Sequence, residues 1–211
     1  MSLPAYDSSR TKPILYDGVR VARTLNDLQA AFAVRTAVYM EGQDCPYNEE
    51  FDGNDFTATH LVYYKQGEPV ATVRIRYFAD FVKFERVAVL KRHRNSRAAF
   101  IMVKAAIEFV RKKSYTKIYG TIQEGLEKFW EYFGGRALNR SDNLKFSERS
   151  YSEILIEVPP HEEPLKLESD PFVLMAPEGQ WDMTGILERS AVRGSVPSEH
   201  VARKRTAERV L

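Results

Sequence analysis

The sequence predicts a mixed α/β fold in which one mostly antiparallel sheet is flanked by helices. Three observations carry this reading. Two short-linked pairs of apolar, β-branched runs lie between His60 and Val89, a helical apolar period runs from Arg94 to Lys112, and strand-like runs return at KIYGTI and SEILIEV. With 211 residues, 44% of them hydrophobic, the chain is long enough for one domain with extensions. Its net charge of +2 gives no global reason to expect nucleic acid or an anionic membrane as partner. A single cysteine, Cys45, rules out an internal disulfide framework and a cysteine-rich zinc site. The four histidines, scattered at 60, 93, 161 and 200, show no metal spacing, so no metal is expected. No apolar run reaches the roughly 18 residues of a membrane span, and a cytoplasmic protein is the expectation.

Taken in order, residues 1–12 lack any apolar period and read as a flexible leader. GVRVART alternates as a short strand. Thr24 or Asn26 then caps a helix through about Tyr39, with Leu28, Ala31, Phe32 and Arg35 spaced by three and four. EGQDCPYNEEFDGNDFTA is polar and rich in turn residues, and reads as a loop with at most one helical turn. Strands HLVYYK, VATVRIRYF and VKFERVAVL follow as consecutive hairpins, then the helix from Arg94 to Lys112. KIYGTI is a buried strand, EGLEKFWEYFGG a short helix closed by Gly134 and Gly135, and SEILIEV a late strand ended by Pro159 and Pro160. The domain is expected over residues 13–160. Residues 161–211 form a proline-punctuated extension with helices at WDMTGILERSAVR and SEHVARKRTAERVL, docking on the domain or on a second subunit; a homodimer would use the late strand or this tail.

The richest segment for chemistry is VKFERVAVLKRHRNSRAAFIMVKAAIEF, where a buried strand passes through a basic turn into a helix. A helix start offers unpaired N–H groups and partial positive charge, and Arg92, Arg94 and Arg97 add to the attraction for phosphate. The alternative is a solvated basic loop. The acidic stretch offers Glu49, Glu50, Asp52 and Asp55, which either hold a cationic acceptor or form a solvated, turn-rich surface.

The strand ERVAVL followed by Arg94-Asn95-Ser96-Arg97-Ala98-Ala99 resembles the GNAT superfamily of acyl-CoA-dependent N-acyltransferases, whose motif is Arg/Gln-x-x-Gly-x-Gly/Ala at a helix start. VYMEGQDCPYNEEFDGNDFTATHLVYY with GEPVATVRIR, and GTIQEGLEKFWEYFGG, resemble the same family on either side, so the likeness covers about Val19 to Glu157. It implies a GNAT-like acyltransferase fold and transfer of acetyl or another short acyl group from CoA to a primary amine of a small molecule, by direct attack in a ternary complex. It also implies that Arg94, Asn95, Ser96, Arg97, Ala98 and Ala99 hold the CoA pyrophosphate and that Val87, Ala88 and Val89 pair with the pantetheine arm, with a strand amide polarising the thioester carbonyl. Gln123 either bonds to acyl-CoA or substrate, or caps a helix.

An alkyl amine of pKa ~10.4 has to lose a proton before it attacks. Glu85 is the candidate base, acting directly or through water; otherwise it is an ion-pair partner of Arg86 or Arg74. The chain departs from the family at two places. Arg97 replaces the central glycine, so its side chain either pairs with phosphate, lies in solvent or obstructs the turn. Trp130 stands where many relatives have the tyrosine that protonates the leaving thiolate. Tyr132, two residues on, is the remaining candidate acid, although helix geometry turns it elsewhere. Glu50, Asp52 and Asp55 with Arg35 and Arg74 also resemble acyl-homoserine-lactone synthases, which implies a second reading with acyl-carrier protein as donor, but the tryptophan expected near the start of this loop is missing. A degenerate acyl-CoA-binding module is a third.

Overall fold

The computed structural model describes residues 17–94, 96–138, 140 and 144–194. The expected leader and the expected helix SEHVARKRTAERVL lie outside them. Two compact units divide between Lys166 and Leu167.

In the first unit, β1 (Gly18–Val21) leads to α1 (Leu25–Arg35). Thr24 opens α1 as a capping box: its Oγ1 accepts from Asp27 N, and the Asp27 carboxylate accepts from the Thr24 backbone N–H. The helix does not stop near Tyr39. It widens into a π-turn over Thr36–Met40, continues as α2 (Glu41–Gln43) and breaks at Asp44, whose φ is 56°. The acidic stretch holds α3 (Tyr47–Glu50) and a 3₁₀ turn at Asp55–Thr57, more helix than its composition suggests.

β2 (Thr59–Lys65), β3 (Glu68–Tyr77) and β4 (Val82–Val89) form the expected hairpins. Gln66 and Gly67, both at positive φ, make the two-residue turn between β2 and β3. Phe78 and Phe81 stack 4.6 Å apart across the next link. A 3₁₀ turn at Lys91–His93 leads into α4 (Ala98–Lys112), whose Met102, Val103, Ala106, Phe109 and Val110 are buried. β5 (Lys117–Gln123) and α5 (Glu127–Glu131) follow. Gly134 adopts φ 82° after α5, and a Cβ on Gly135 would stand 2.8 Å from the Trp130 carbonyl oxygen, so the two glycines end this helix for different reasons. Two short strands escaped the sequence reading, β6 (Gly135–Ala137) and β7 (Leu144–Phe146); both pair with β8 (Arg149–Glu157).

The sheet runs β1-β2-β3-β4-β5-β8-β6, with β7 beside β8, and every pairing except β4–β5 is antiparallel. α1 covers the face carrying Val62 and Tyr64, and Val34 with Val38 of the π-turn packs on Ala88. Alternation along the strands turns Leu61, Val73, Ile75 and Phe84 to the other face, where they are equally buried; α4 packs on the same three strands. Residues just beyond β8 stay with this unit: Leu165 N donates to Lys112 O, and His161 Nε2 lies 3.0 Å from Glu108.

The second unit contains α6 (Pro171–Leu174), capped by the Asp170 side chain, and α7 (Ile186–Ala191).

Candidate active site

β4 and β5 run side by side only where Val82, Lys83 and Phe84 meet Ile118, Tyr119 and Gly120. Beyond Phe84 the two strands part, leaving an open edge along the second half of β4. Ala88 and Leu90 bond back to β3, the latter through Leu90 N to Val70 O at 3.0 Å, so alternation turns Val87 and Val89 towards the gap. At Arg86 the β3–β4 register slips and φ is 52°, a bulge with a left-handed non-glycine residue.

At the end of the open strand the chain turns through Lys91–His93 to the start of α4. Ser96 Oγ donates to His93 O and accepts from Ala98 N, which ties the turn to the helix start. Arg94 Nε reaches Val89 O at 3.3 Å. Arg97 occupies the N-cap position with φ −76°, a conformation open to any residue, so replacing the family's glycine introduces no backbone strain. Its side chain is exposed. Lys91, Arg92, Arg94 and Arg97 meet no carboxylate among the described residues. Asn95 lies outside them.

The acidic loop is arranged in the opposite way. Arg35 and Arg74 are fully buried. Arg35 binds Glu50 Oε1 at 2.5 Å through Nε and Asp55 Oδ1 at 2.6 Å through Nη1. Arg74 forks onto Asp52 at 2.7 and 2.6 Å and reaches Asp55 and Glu85. Arg86 Nε stands 3.0 Å from Glu50 Oε2, and its Nη2 donates to the Glu49 carbonyl. Glu50, Asp52 and Asp55 are therefore clamps for the loop and not free acceptors for a cation, and the Glu49 carboxylate accepts from Ser147 N and Oγ. Burial works to raise the pKa of Asp52 and of Asp55, but hydrogen bonds from arginine outweigh it and hold both carboxyls below the ordinary range. Glu50 goes the other way: burial raises it in spite of Arg35 and Arg86. Burial lowers the pKa of His60, which makes 3.0 Å contact with the Asp55 carbonyl through Nε2.

Glu85 belongs to the same network. Its Oε2 is 2.6 Å from Arg74 Nη2 and its Oε1 is 2.7 Å from Lys83 Nζ. Burial favours its neutral form, but Lys83 and Arg74 win and lower the pKa. Of the two roles open to Glu85, this geometry favours the ion pair, with Arg74 as the partner; a proton acceptor for an amine works best with a raised pKa and a free oxygen. Tyr132, the C-cap of α5, is 67% exposed and packs edge-on against Phe100 at 5.1 Å, whereas Trp130 is buried. Gln123 ends β5 opposite Tyr151, half-buried beside the gap; α5 starts from Leu126, so Gln123 is not its cap.

Sequence reasoning missed Tyr39. Its hydroxyl donates to the Val87 carbonyl at 2.8 Å, and burial pushes its pKa far up despite nearby Arg86. The signal was faint, because its partner is 48 residues away.

The Acetyltransferase (GNAT) family model matches residues 24–134, from the cap of α1 to the glycine after α5. The chain belongs to this GNAT family. A Bacillus subtilis (strain 168) protein described as an acetyltransferase is 34% identical over 115 residues, which span 52% of this chain and 77% of the relative. Among solved structures, Escherichia coli ElaA superposes with a TM-score of 0.60 at 22% identity, covering 67% of this chain and all of ElaA. An aminoglycoside 6′-N-acetyltransferase complexed with coenzyme A gives a TM-score of 0.56 at 10% identity, covering 68% of this chain and 98% of that one. At such identities these two share the fold. As in the GNAT family generally, the sheet is mixed, mostly antiparallel and flanked by helices.

Proposed function

We propose that this GNAT protein transfers an acetyl or other short acyl group from CoA to a primary amine of a small molecule, by direct attack within a ternary complex. The observation that carries the reading is the gap between β4 and β5 with a charge-unbalanced basic turn at its end. The residues fit such a donor. Arg94, Ser96, Arg97, Ala98 and Ala99, together with Asn95 from the motif, would hold the pyrophosphate. The backbone of Val87, Ala88 and Val89 would take the pantetheine arm, and Gln123 stands across the gap. The donor supplies the activated thioester. The chain supplies alignment and an N–H to polarise the carbonyl, a dipole already in place before the reaction begins.

Glu85 enters this scheme as the counter-ion that fixes Arg74 and Lys83 beside the gap; proton removal from the amine then falls to water or to the amine's own neutral fraction. With Trp130 at the family's tyrosine position and Tyr132 turned outwards, water would also protonate the departing thiolate. The acyl-homoserine-lactone-synthase reading stays second because the tryptophan expected near the start of the acidic loop is missing; the pairing of Arg35 and Arg74 with Asp52 and Asp55 does not separate the two readings.

Thermal shift with acetyl-CoA, longer acyl-CoAs and S-adenosylmethionine, followed by thiol release across a panel of amines, tests the proposal. Stabilisation by acyl-CoA with thiol release on at least one amine is expected. Stabilisation by S-adenosylmethionine alone, or acyl-CoA binding without thiol release on any amine, overturns it.

A further inference from the structure

The open edge of β4 owes its shape to two tethers that reach it from the same side of the sheet. The first is Arg86. A left-handed conformation is costly for a residue with a Cβ and persists where surrounding contacts hold it; here the guanidinium is tied to the Glu50 carboxylate and to the backbone carbonyls of Glu49 and Glu50. The second is Tyr39, one peptide further along. Its position depends on the π-turn at Thr36–Met40, which inserts an extra residue into the helical path between Arg35, locked to Glu50 and Asp55, and α2. Val38 of that turn packs on Ala88, and Tyr39 packs on the same cluster with its hydroxyl 2.8 Å from Val87 O. The turn thus fills the core with one residue and reaches the strand backbone with the next.

We propose that Tyr39 is a positioning residue for acyl transfer: its hydroxyl, donated to the Val87 carbonyl, holds the peptides around the β4 bulge in one orientation, so that the strand's N–H groups keep a fixed aim at the acyl carbonyl. The proposal rests on the acyl-transfer reading above. Val87 is one of the two residues turned to the gap, and the other, Val89, has its carbonyl met by Arg94. Both carbonyls of the open edge are thereby engaged by the chain's own side chains, which leaves the amide donors as the groups this edge offers most freely. Loss of the hydroxyl would leave this part-buried carbonyl without its donor and release the peptide at the point where the strand is already bent. Because burial keeps the phenol protonated, it is a donor throughout the working pH range.

The test is Tyr39→Phe in the full chain, which keeps the ring and deletes the donor. With an active amine from the panel, kcat is expected to fall about tenfold while the acetyl-CoA Kd and the amine KM stay within about twofold, since alignment and not binding is lost. Amide hydrogen exchange at Ala88 and Leu90, which bond back to β3 on either side of Val89, should speed up about tenfold with the core of α4 unchanged. The pH profile should shift down in parallel. Unchanged kcat with unchanged exchange overturns the proposal, as does a loss shared equally by kcat, Kd and exchange throughout α4, which marks general packing damage. A profile that loses its basic limb overturns it in favour of proton donation by the phenol. If the wild-type protein releases no thiol with any amine, the acyl-transfer reading fails by itself; the exchange measurement still decides whether Tyr39 holds the strand.

Discussion

Two charged segments flank the open edge of β4, and they resolve their charge in opposite ways. Between Glu50 and Asp55, the three carboxylates are matched by Arg35, Arg74 and Arg86 from a helix and two strands, and the loop is sealed to the sheet. Between Lys91 and Arg97, four cations share one turn with no carboxylate partner among the described residues. Both look like surface loops by composition. Charge that the fold neutralises serves structure, and charge that the fold leaves uncompensated beside a cleft is free to meet a ligand of opposite sign.

The largest effect should come from breaking the matched side. Arg74→Ala would leave Asp52, Asp55 and Glu85 facing one another with their shared cation gone, and a loss of about 3–5 kcal/mol in urea unfolding is expected. A loss near zero would mean that Arg74 does not clamp the loop and that Arg35 and Arg86 hold it alone.

Glu85→Gln tests the boundary between the two regions. It should cost about 1–3 kcal/mol of stability, by weakening the hold on Arg74 and Lys83. The sign of the pKa shift sets the pH range. Since the folded-state pKa lies below the ordinary glutamate value, the ionised form's contribution is present above that value and is lost as pH falls through the folded pKa, so the wild-type advantage should vanish only in acid. Turnover of the variant should be reduced by the same factor from pH 7 to about 10. A deficit that closes as pH rises would restore Glu85 as the base, because a base is redundant once the amine is neutral.

On the uncompensated side, effects should be smaller and dependent on salt. Arg97→Gly is expected to raise the acetyl-CoA Kd about three- to fivefold at low ionic strength, with a flatter salt dependence than the wild type. Its backbone suits either residue, so the fold should not change. Tighter binding would show that the arginine obstructs the turn. Smallest of all is Tyr132→Phe. An exposed hydroxyl with its ring packed on Phe100 should change kcat by less than about twofold, and a large loss with normal stability would place Tyr132 in the site.

The parts of this fold written locally were legible in the sequence. The strand pairs from His60 to Val89 alternate or run apolar between turn residues, and α4 keeps its period over 15 residues. β6 and β7 are three residues each, too short to show a period, and exist because β8 offers them an edge. The gap and its basic turn were legible through the motif that joins them. The inner half of the site was not, because it depends on contacts between distant residues: Arg35 reaches Asp55 over 20 positions, Arg74 reaches Asp52 over 22 and Tyr39 reaches Val87 over 48. One clue was present. Arg35 sits in register with Leu28, Ala31 and Phe32, the stripe that faces the core, and a charged residue in such a stripe needs a buried partner.

The three-residue contact between β4 and β5 also divides the sheet into two panels, β1–β4 and β5–β8, sewn together along a short parallel seam. Within each panel the antiparallel ladders resist bending of one strand against the next, whereas across the seam few main-chain bonds oppose a change of dihedral angle. The panels therefore have a built-in hinge line at Phe84 and Gly120. How wide the jaws stand is a property of seam length, so lengthening the seam by even one residue pair would narrow the gap, while its lining side chains remained the same.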